Sequence, residues 1–259
     1  MEVNKDRKLE EKSGKIINAL YNQPNRQAIL LFTRTREQEA RHKSWIKSTG
    51  RNGNKKIAEL LISRTRRAAA KTEADIIVYD SGRQRGKTFG ERLSNAFQDL
   101  FKSGYNQVVA VGNDTPELTK AHLNCALKQL EQGNPVLGPS TDGGVYLIGL
   151  TKRMFQAQHF KAIPWETADV SSALEKWLLK QKVDIQWLEL LQDIDNEDDL
   201  RRFISNHSAS AKSTLQQVIR RIVSIICSSG NYSTQLSHAS YTSIYQDTDS
   251  SRAPPAVAA

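Results

Sequence analysis

Three short, largely apolar runs mark the first half of the chain: Ala28-Ile29-Leu30-Leu31-Phe32, Asp75-Ile76-Ile77-Val78-Tyr79 and Gln107-Val108-Val109-Ala110-Val111-Gly112. Each is rich in β-formers, apolar on consecutive residues and bounded by polar turns, the pattern of a strand buried on both faces. The stretches between them have helical spacing: residues 56–70, then 90–101 with Leu93, Ala96, Phe97 and Leu100 on one face, then 119–130 with Leu123, Ala126 and Leu130. Strand alternating with helix predicts an α/β domain whose mostly parallel sheet carries helices on both faces.

Beyond Gly133 the rhythm changes. Val136 to Gly138 and Val145 to Leu150 read as strands joined by the loop Pro139 to Gly144, a mixed-sheet edge. A helix over 170–181, a strand over 184–190 and a closing helix over 198–205 follow. The polar lead-in 1–26 ends at the breaker Asn22-Gln23-Pro24-Asn25, and from residue 206 Ser, Thr, Gln and Ala dominate. The pattern predicts one domain over 27–205, then a segment 206–259 with an amphipathic stretch from Ser213 to Ile226 and a disordered Ser-rich tail.

Composition narrows the class. The 259 residues are 38% hydrophobic and 25% charged, with no apolar run of the roughly 20 residues a membrane span needs. The first fifteen residues mix Lys with Glu and lack the apolar core of a signal peptide, so a cytoplasmic setting is expected. Cys125 and Cys227 stand in unrelated contexts without metal-ligand spacing, which argues against a disulfide framework or structural zinc. Cys125 is expected in a helix core. The formal charge of +9 is uneven, because Arg34 to Lys71 gathers twelve lysines and arginines against few acids. Such a segment suits a polyanion or a solvated face. Without an aromatic-laced strand, zinc or helix-turn-helix signature, the phosphates of a small nucleotide fit it better than nucleic acid.

Four stretches carry candidate chemistry. In Val111-Gly112-Asn113-Asp114-Thr115-Pro116 an apolar strand delivers Asp114 to its carboxyl end, where ligands of open α/β sheets collect. A hard cation bridging phosphates needs one or two carboxylates plus waters, and Asp114 begins that set; an Asx turn before Pro116 needs the same residue. In Pro139-Ser140-Thr141-Asp142-Gly143-Gly144 the paired glycines let backbone approach a ligand and Asp142 is placed to accept from a sugar hydroxyl, although a plain tight turn has the same composition. In Asp193-Ile194-Asp195-Asn196-Glu197-Asp198-Asp199 the last three acids suit a first helical turn, while Asp193 and Asp195 are each placed to bring a second metal carboxylate or a cap. Gly82-Arg83-Gln84-Arg85-Gly86-Lys87-Thr88 approaches a phosphate-cradling P-loop, but three residues separate its glycines rather than four. Its Arg85 and Gly86, with Arg92 beyond, still make an anion site. Trp165 offers a face for a base or sugar, or a buried plug. The five histidines are scattered without a nucleophile partner, so a Ser-His-Asp hydrolase has no support.

Taken in order, Gln84-Arg85-Gly86 with Phe89-Gly90-Glu91-Arg92-Leu93, Gly112-Asn113-Asp114-Thr115-Pro116, Leu137-Gly138-Pro139 with Asp142-Gly143-Gly144 and Tyr146-Leu147-Ile148-Gly149, Pro164-Trp165 with Thr167, and Asp193-Ile194-Asp195 with Asp199-Leu200 resemble an uncharacterised bacterial family of glycosyltransferase-like proteins of the GT-A superfamily. The match spans about Ala28 to Phe203. That family is grouped with nucleotide-diphospho-sugar transferases and is similar to molybdenum cofactor and phospholactate guanylyltransferases. The resemblance implies a Rossmann-like sheet with a mixed edge, a nucleotide or sugar-nucleotide donor, an unspecified acceptor and magnesium or manganese. It implies that Asp114 takes the place of the strand-end metal acid, and Asp195 that of the second. Many members follow the first strand with a Pro-Gly turn and a Lys-Thr-Arg-Leu motif. Here Thr33-Arg34-Thr35-Arg36 follows without the glycine, leaving Arg34, Arg41 and Lys43 to attract phosphates by charge. The expected activity is metal-dependent glycosyl or nucleotidyl transfer. A non-catalytic nucleotide-binding module on the same fold and a P-loop-like kinase relying on Lys87 are the alternatives.

Overall fold

The computed structural model of the chain describes residues 26–47, 50–207 and 213–227. These residues form two compact units, one made of 26–35 with 62–193, the other of 36–47 and 50–61 with 194–207 and 213–227. The lead-in expected before residue 26 and the Ser-rich tail lie outside the described residues. No helix among the described residues is long and apolar enough to cross a membrane.

The first unit is built on a six-stranded sheet. Its strands are β1 (Gln27–Phe32), β2 (Asp75–Tyr79), β3 (Gln107–Val111), β4 (Val136–Pro139), β5 (Val145–Thr151) and β6 (Gln186–Trp187), in the spatial order β2-β1-β3-β5-β4-β6. Only β5 runs against its neighbours: β1 is parallel to β2 and β3, and β4 to β6. This is the expected α/β, GT-A-like sheet with a mixed edge. Its central strands are apolar on consecutive residues because both faces are covered. In β1, Ala28 and Leu30 face one core with Val108 and Ala110 of β3, whereas Ile29 and Leu31 face the other with Val109 and Val111.

The first core is closed by α3 (Phe89–Lys102), α5 (Ala157–Lys161) and α6 (Val170–Leu179), through Leu93, Phe97, Phe160, Leu174 and Leu178. The second is closed by α4 (Lys120–Glu131), with Leu123, Ala126, Leu127 and Leu130. The predicted strand over 184–190 shrinks to the two residues of β6. Its partner β4 is only four residues long, so beyond Trp187 the ladder gives way to separate contacts: the Leu188 N–H on the Leu137 carbonyl at 2.9 Å, the Tyr146 hydroxyl on the Glu189 carbonyl and an isolated bridge, Ser140 to Leu191.

Helix α2 (Gly50–Ala69) runs through the boundary at Leu61, and the second unit also holds α1 (Arg36–His42), α7 (Glu197–His207) and α8 (Ser213–Cys227). Its core is Trp45, Ile57, Leu61, Ile194, Leu200 and Phe203 with the apolar stripe Val218, Ile219, Ile222, Val223 and Ile226 of α8. The amphipathic stretch read from the sequence is thus a packed helix. Trp45 is fully buried, and its indole N–H donates to the Ile194 carbonyl at 2.7 Å, which removes the cost of hiding that donor.

Candidate functional site

In the first unit, register fixes which loops share an edge. Leu31 pairs with Val111, Phe32 with Tyr79, Val111 with Leu147 and Pro139 with Val145. The loops after β1, β2 and β3 and the β4–β5 turn therefore emerge from the same edge of the sheet. β1 lies between β2 and β3, so the chain goes to one side of β1 and then to the other, and the crevice between the ends of β1 and β3 is a topological switch point.

The side chains there are polar and buried. Thr33, Asn113, Thr115 and Ser140 are each at most 5% exposed. The Thr33 hydroxyl donates to the Asn113 side-chain oxygen at 2.7 Å, tying the end of β1 to the end of β3 across the switch point. The Gln84 amide donates to the carbonyls of Thr33 (2.7 Å) and Tyr79 (3.0 Å), closing the ends of β1 and β2. Asp114 is half-buried in the loop after β3, and the next residue, Thr115, donates its hydroxyl hydrogen bond to the Asp193 carboxylate. Arg34 stands half-buried in the loop after β1.

Asp193 is the carboxylate this arrangement brings to the Asp114 loop. Asp195 lies in the second unit, where it forms an ion pair with Lys43 at 2.7 Å and its backbone N–H donates to Asp199. The expected phosphate cation and the expected second metal acid thus meet each other, with the Lys43 ammonium also 5.9 Å from the centre of the Trp45 ring.

Asp142 occupies the turn between β4 and β5. One carboxylate oxygen accepts from the Ser140 hydroxyl at 2.6 Å and from the Gly144 N–H at 2.9 Å, an Asx turn; its other oxygen makes no hydrogen bond among the described residues. Gly143 has φ +87°, and a Cβ on it would meet the Ala168 carbonyl oxygen at 2.1 Å, so its glycine identity is set by backbone packed on backbone. Gly144 would place a Cβ 3.0 Å from both Asp142 and Ser140.

The P-loop-like stretch is consumed by its own helix. Thr88 caps α3, accepting from the Glu91 N–H, while Glu91 accepts from the backbone N–H of Lys87 at 2.7 Å and of Thr88 at 3.4 Å. These bonds hold the Glu91 carboxyl below its usual range, the Lys87 amide being the largest cause. The Lys87 and Thr88 amides are thus committed to the cap, which counts against the kinase alternative. Arg85 reaches back to both Asp99 oxygens at 2.7 Å, Arg92 donates to the Lys87 carbonyl, and Gly86 lies so close to Glu91 that a Cβ would meet its Cβ at 2.7 Å. Trp165 is half-buried, its ring 4.9 Å from Phe160 and 5.4 Å from Phe89, its N–H on the Phe160 carbonyl; a Cβ on Gly90 would meet it at 2.4 Å. It is a packed plug that stays partly exposed.

Cys125 is exposed, contrary to the expected helix-core position. At about 3.6 residues per turn it sits opposite Leu123 and Leu127, which take the buried face of α4.

A bacterial family model of uncharacterised proteins matches residues 21–167, more than half of the chain. The chain belongs to this family, DUF2064. A "putative nucleotide-diphospho-sugar transferase" from Desulfovibrio desulfuricans G20 is 23% identical with a TM-score of 0.69, over 79% of this chain and 98% of its own, and shares the DUF2064 chain's fold. More remote likenesses are 4-diphosphocytidyl-2C-methyl-D-erythritolsynthase from Anaerococcus prevotii (10% identity, 68% and 94% coverage, TM-score 0.41) and molybdopterin-guanine dinucleotide biosynthesis protein A from Archaeoglobus fulgidus (14%, 78% and 98%, 0.34). Neither adds to the functional reading. No curated protein matches this DUF2064 chain.

Proposed function

We propose that this DUF2064 protein is a transferase that takes a nucleotide or sugar-nucleotide with magnesium or manganese at the carboxyl edge of its sheet and moves a glycosyl or nucleotidyl group to an acceptor. The observation that carries this reading is the pairing of loops at the switch point: Asp114 projects from the end of β3, and its neighbour Thr115 holds the Asp193 carboxylate.

The donor set suits a hard cation. Asp114, Asp193 and the Thr115 hydroxyl offer only oxygen, and among the described residues no group of three or more His, Cys, Asp or Glu side chains is gathered for a metal. Two carboxylates completed by water and substrate phosphates are what magnesium or manganese accepts. Bound there, the cation supplies charge neutralisation for a diphosphate. Asp114 and Asp193 would hold it, and Thr115 orients Asp193. Arg34 adds positive charge beside the phosphates, and the open oxygen of Asp142 accepts from a sugar or ribose hydroxyl. Gly143 and Gly144 bring backbone to the same ligand, and the partly exposed Trp165 borders it. Roles for Lys43 and Asp195 are not part of this reading, since each already holds the other.

One observation favours the non-catalytic alternative. The Thr33 N–H donates to Tyr79 at 3.1 Å and the Thr33 carbonyl accepts from Gln84, so the first backbone unit after β1 is committed internally rather than open to a phosphate. Turnover of a panel of nucleoside triphosphates and sugar-nucleotides, with and without magnesium or manganese, separates the two. Metal-dependent product formation abolished in Asp114→Ala supports the transferase; binding without turnover across the panel supports the binding module.

A further inference from the structure

At the opposite edge of the same sheet, where the parallel strands begin, the first unit holds an open cavity of about 500 Å³. Its walls are Asn106 and Gln107 at the start of β3, Gly133 just after α4, and Thr151, Lys152 and Arg153 where β5 ends. No acid lines it. Lys152 and Arg153 are exposed and form no ion pair among the described residues. The Thr151 hydroxyl is buried and makes no hydrogen bond. Gln107 is 6% exposed; its side-chain oxygen accepts from Gln27 at 2.7 Å, and its amide nitrogen has no hydrogen-bond partner among the described residues.

The local backbone explains why these donors stay in place. The Lys152 N–H is held by the Asn106 carbonyl at 2.8 Å, and the Met154 and Phe155 N–H groups both donate to the Thr151 carbonyl. Thr151, Lys152 and Arg153 are thus fixed on a tight turn pinned to β3, while Gly133 (φ +87°) has nothing within 4 Å of where a Cβ would stand and leaves the cavity mouth clear. A buried hydroxyl and an amide with nothing to bond, beside two cations with no counter-charge, form a set that needs acceptors and negative charge. A tetrahedral dianion with several acceptor oxygens meets all four groups, and the cavity is within the usual size for a small-molecule site.

We propose that this cavity is a second ligand site, separate from the carboxyl-edge site, that binds the phosphate group of a phosphorylated small molecule through Thr151, Gln107, Lys152 and Arg153. It is independent of the transferase reading, which uses none of these residues. The test is calorimetric titration of the full chain with inorganic phosphate, without divalent metal and against chloride of matched ionic strength, with acetate as a second probe. Phosphate binds the wild type and acetate binds more weakly. Lys152→Ala/Arg153→Ala weakens phosphate binding by about tenfold or more, the loss of two charge-assisted contacts. Thr151→Val, which keeps the shape, weakens it severalfold, and Asp114→Ala leaves it unchanged. Circular dichroism checks that each variant is folded. The proposal is overturned if the wild type does not bind phosphate, if acetate binds as tightly, or if the double variant binds as well as the wild type. It is equally overturned if Asp114→Ala abolishes binding, which would place the phosphate at the carboxyl edge.

Discussion

Gly143 and Gly133 share a backbone angle, φ +87°, and differ in what a side chain would meet. That pairing isolates the packing that shapes the Asp142 turn. An alanine at either position pays for left-handed backbone, about 1–2 kcal/mol. At Gly133 nothing lies within 4 Å of the new Cβ, so Gly133→Ala should cost that amount and little more. At Gly143 the Cβ would stand 2.1 Å from the Ala168 carbonyl oxygen and 2.8 Å from its carbon, and both partners are main chain that no rotamer change can move. The Gly143 carbonyl also accepts from the Ser171 N–H at 3.0 Å, so moving the turn away breaks a bond to α6. Overpacking of this kind costs roughly 1–3 kcal/mol more. Gly143→Ala should therefore destabilise by about 2–5 kcal/mol, and its melting temperature should fall below that of Gly133→Ala by several degrees, at about 2–4 °C per kcal/mol for a chain of this size. Urea and thermal denaturation followed by tryptophan fluorescence measure both. Equal losses, or a smaller loss at Gly143, would refute the claim that close backbone packing fixes the turn.

Further outcomes follow from the same structure. Trp45→Ala empties the centre of the second unit's core and orphans the Ile194 carbonyl, and should cost about 3–5 kcal/mol by urea denaturation followed by circular dichroism. The Tyr105 hydroxyl, which donates to Asp75 at 2.7 Å, is pushed up to about 12 by burial first and by Asp75 second. A raised folded-state value gives stability that is full below the unfolded tyrosine range near pH 10 and is lost as pH climbs through 12. Burial also raises Tyr79 and Tyr146, so tyrosinate absorbance should show a late component of which Tyr105→Phe removes a part, and that variant should flatten the stability loss over the Tyr105 window. Exposed Cys125 should react with a thiol reagent in the native protein, and Cys125→Ser should remove that fast phase.

The parts of the fold visible in the sequence are those whose burial is simple. β1 and β3 are buried on both faces and read as unbroken apolar runs, and α3 buries Leu93, Ala96, Phe97 and Leu100 at helical spacing. α1 left no such trace: in Arg36–His42 the buried residue is Glu39, so there is no apolar stripe to find. The first turn of α2 is hidden by Gly50, Asn52, Gly53 and Asn54, poor helix formers; here Asn54 is buried, its side chain bonding the Ile46 and Gly50 backbone. The place of Asp114 at a strand end is readable because an apolar run delivers it there. Which of Asp193 and Asp195 lies against the Asp114 loop is not, because two acids two residues apart look alike until Thr115 is seen bonded to Asp193, and Asp195 to Lys43 beyond the buried Ile194. Thr33 carried no motif, and Asn113 and Thr115 entered only as neighbours of Asp114; their contacts come from segments that meet across long sequence separations.

The central claim is a cation site made by Asp114 and Asp193 at the carboxyl edge, and the direct measurement is manganese binding followed by electron paramagnetic resonance, with nucleotide present. The account predicts binding by the wild type, at least a tenfold weakening in Asp114→Ala and in Asp193→Ala, and near wild-type affinity in Asp195→Ala. Manganese affinity that survives both Asp114→Ala and Asp193→Ala, or that is lost only in Asp195→Ala, would contradict it.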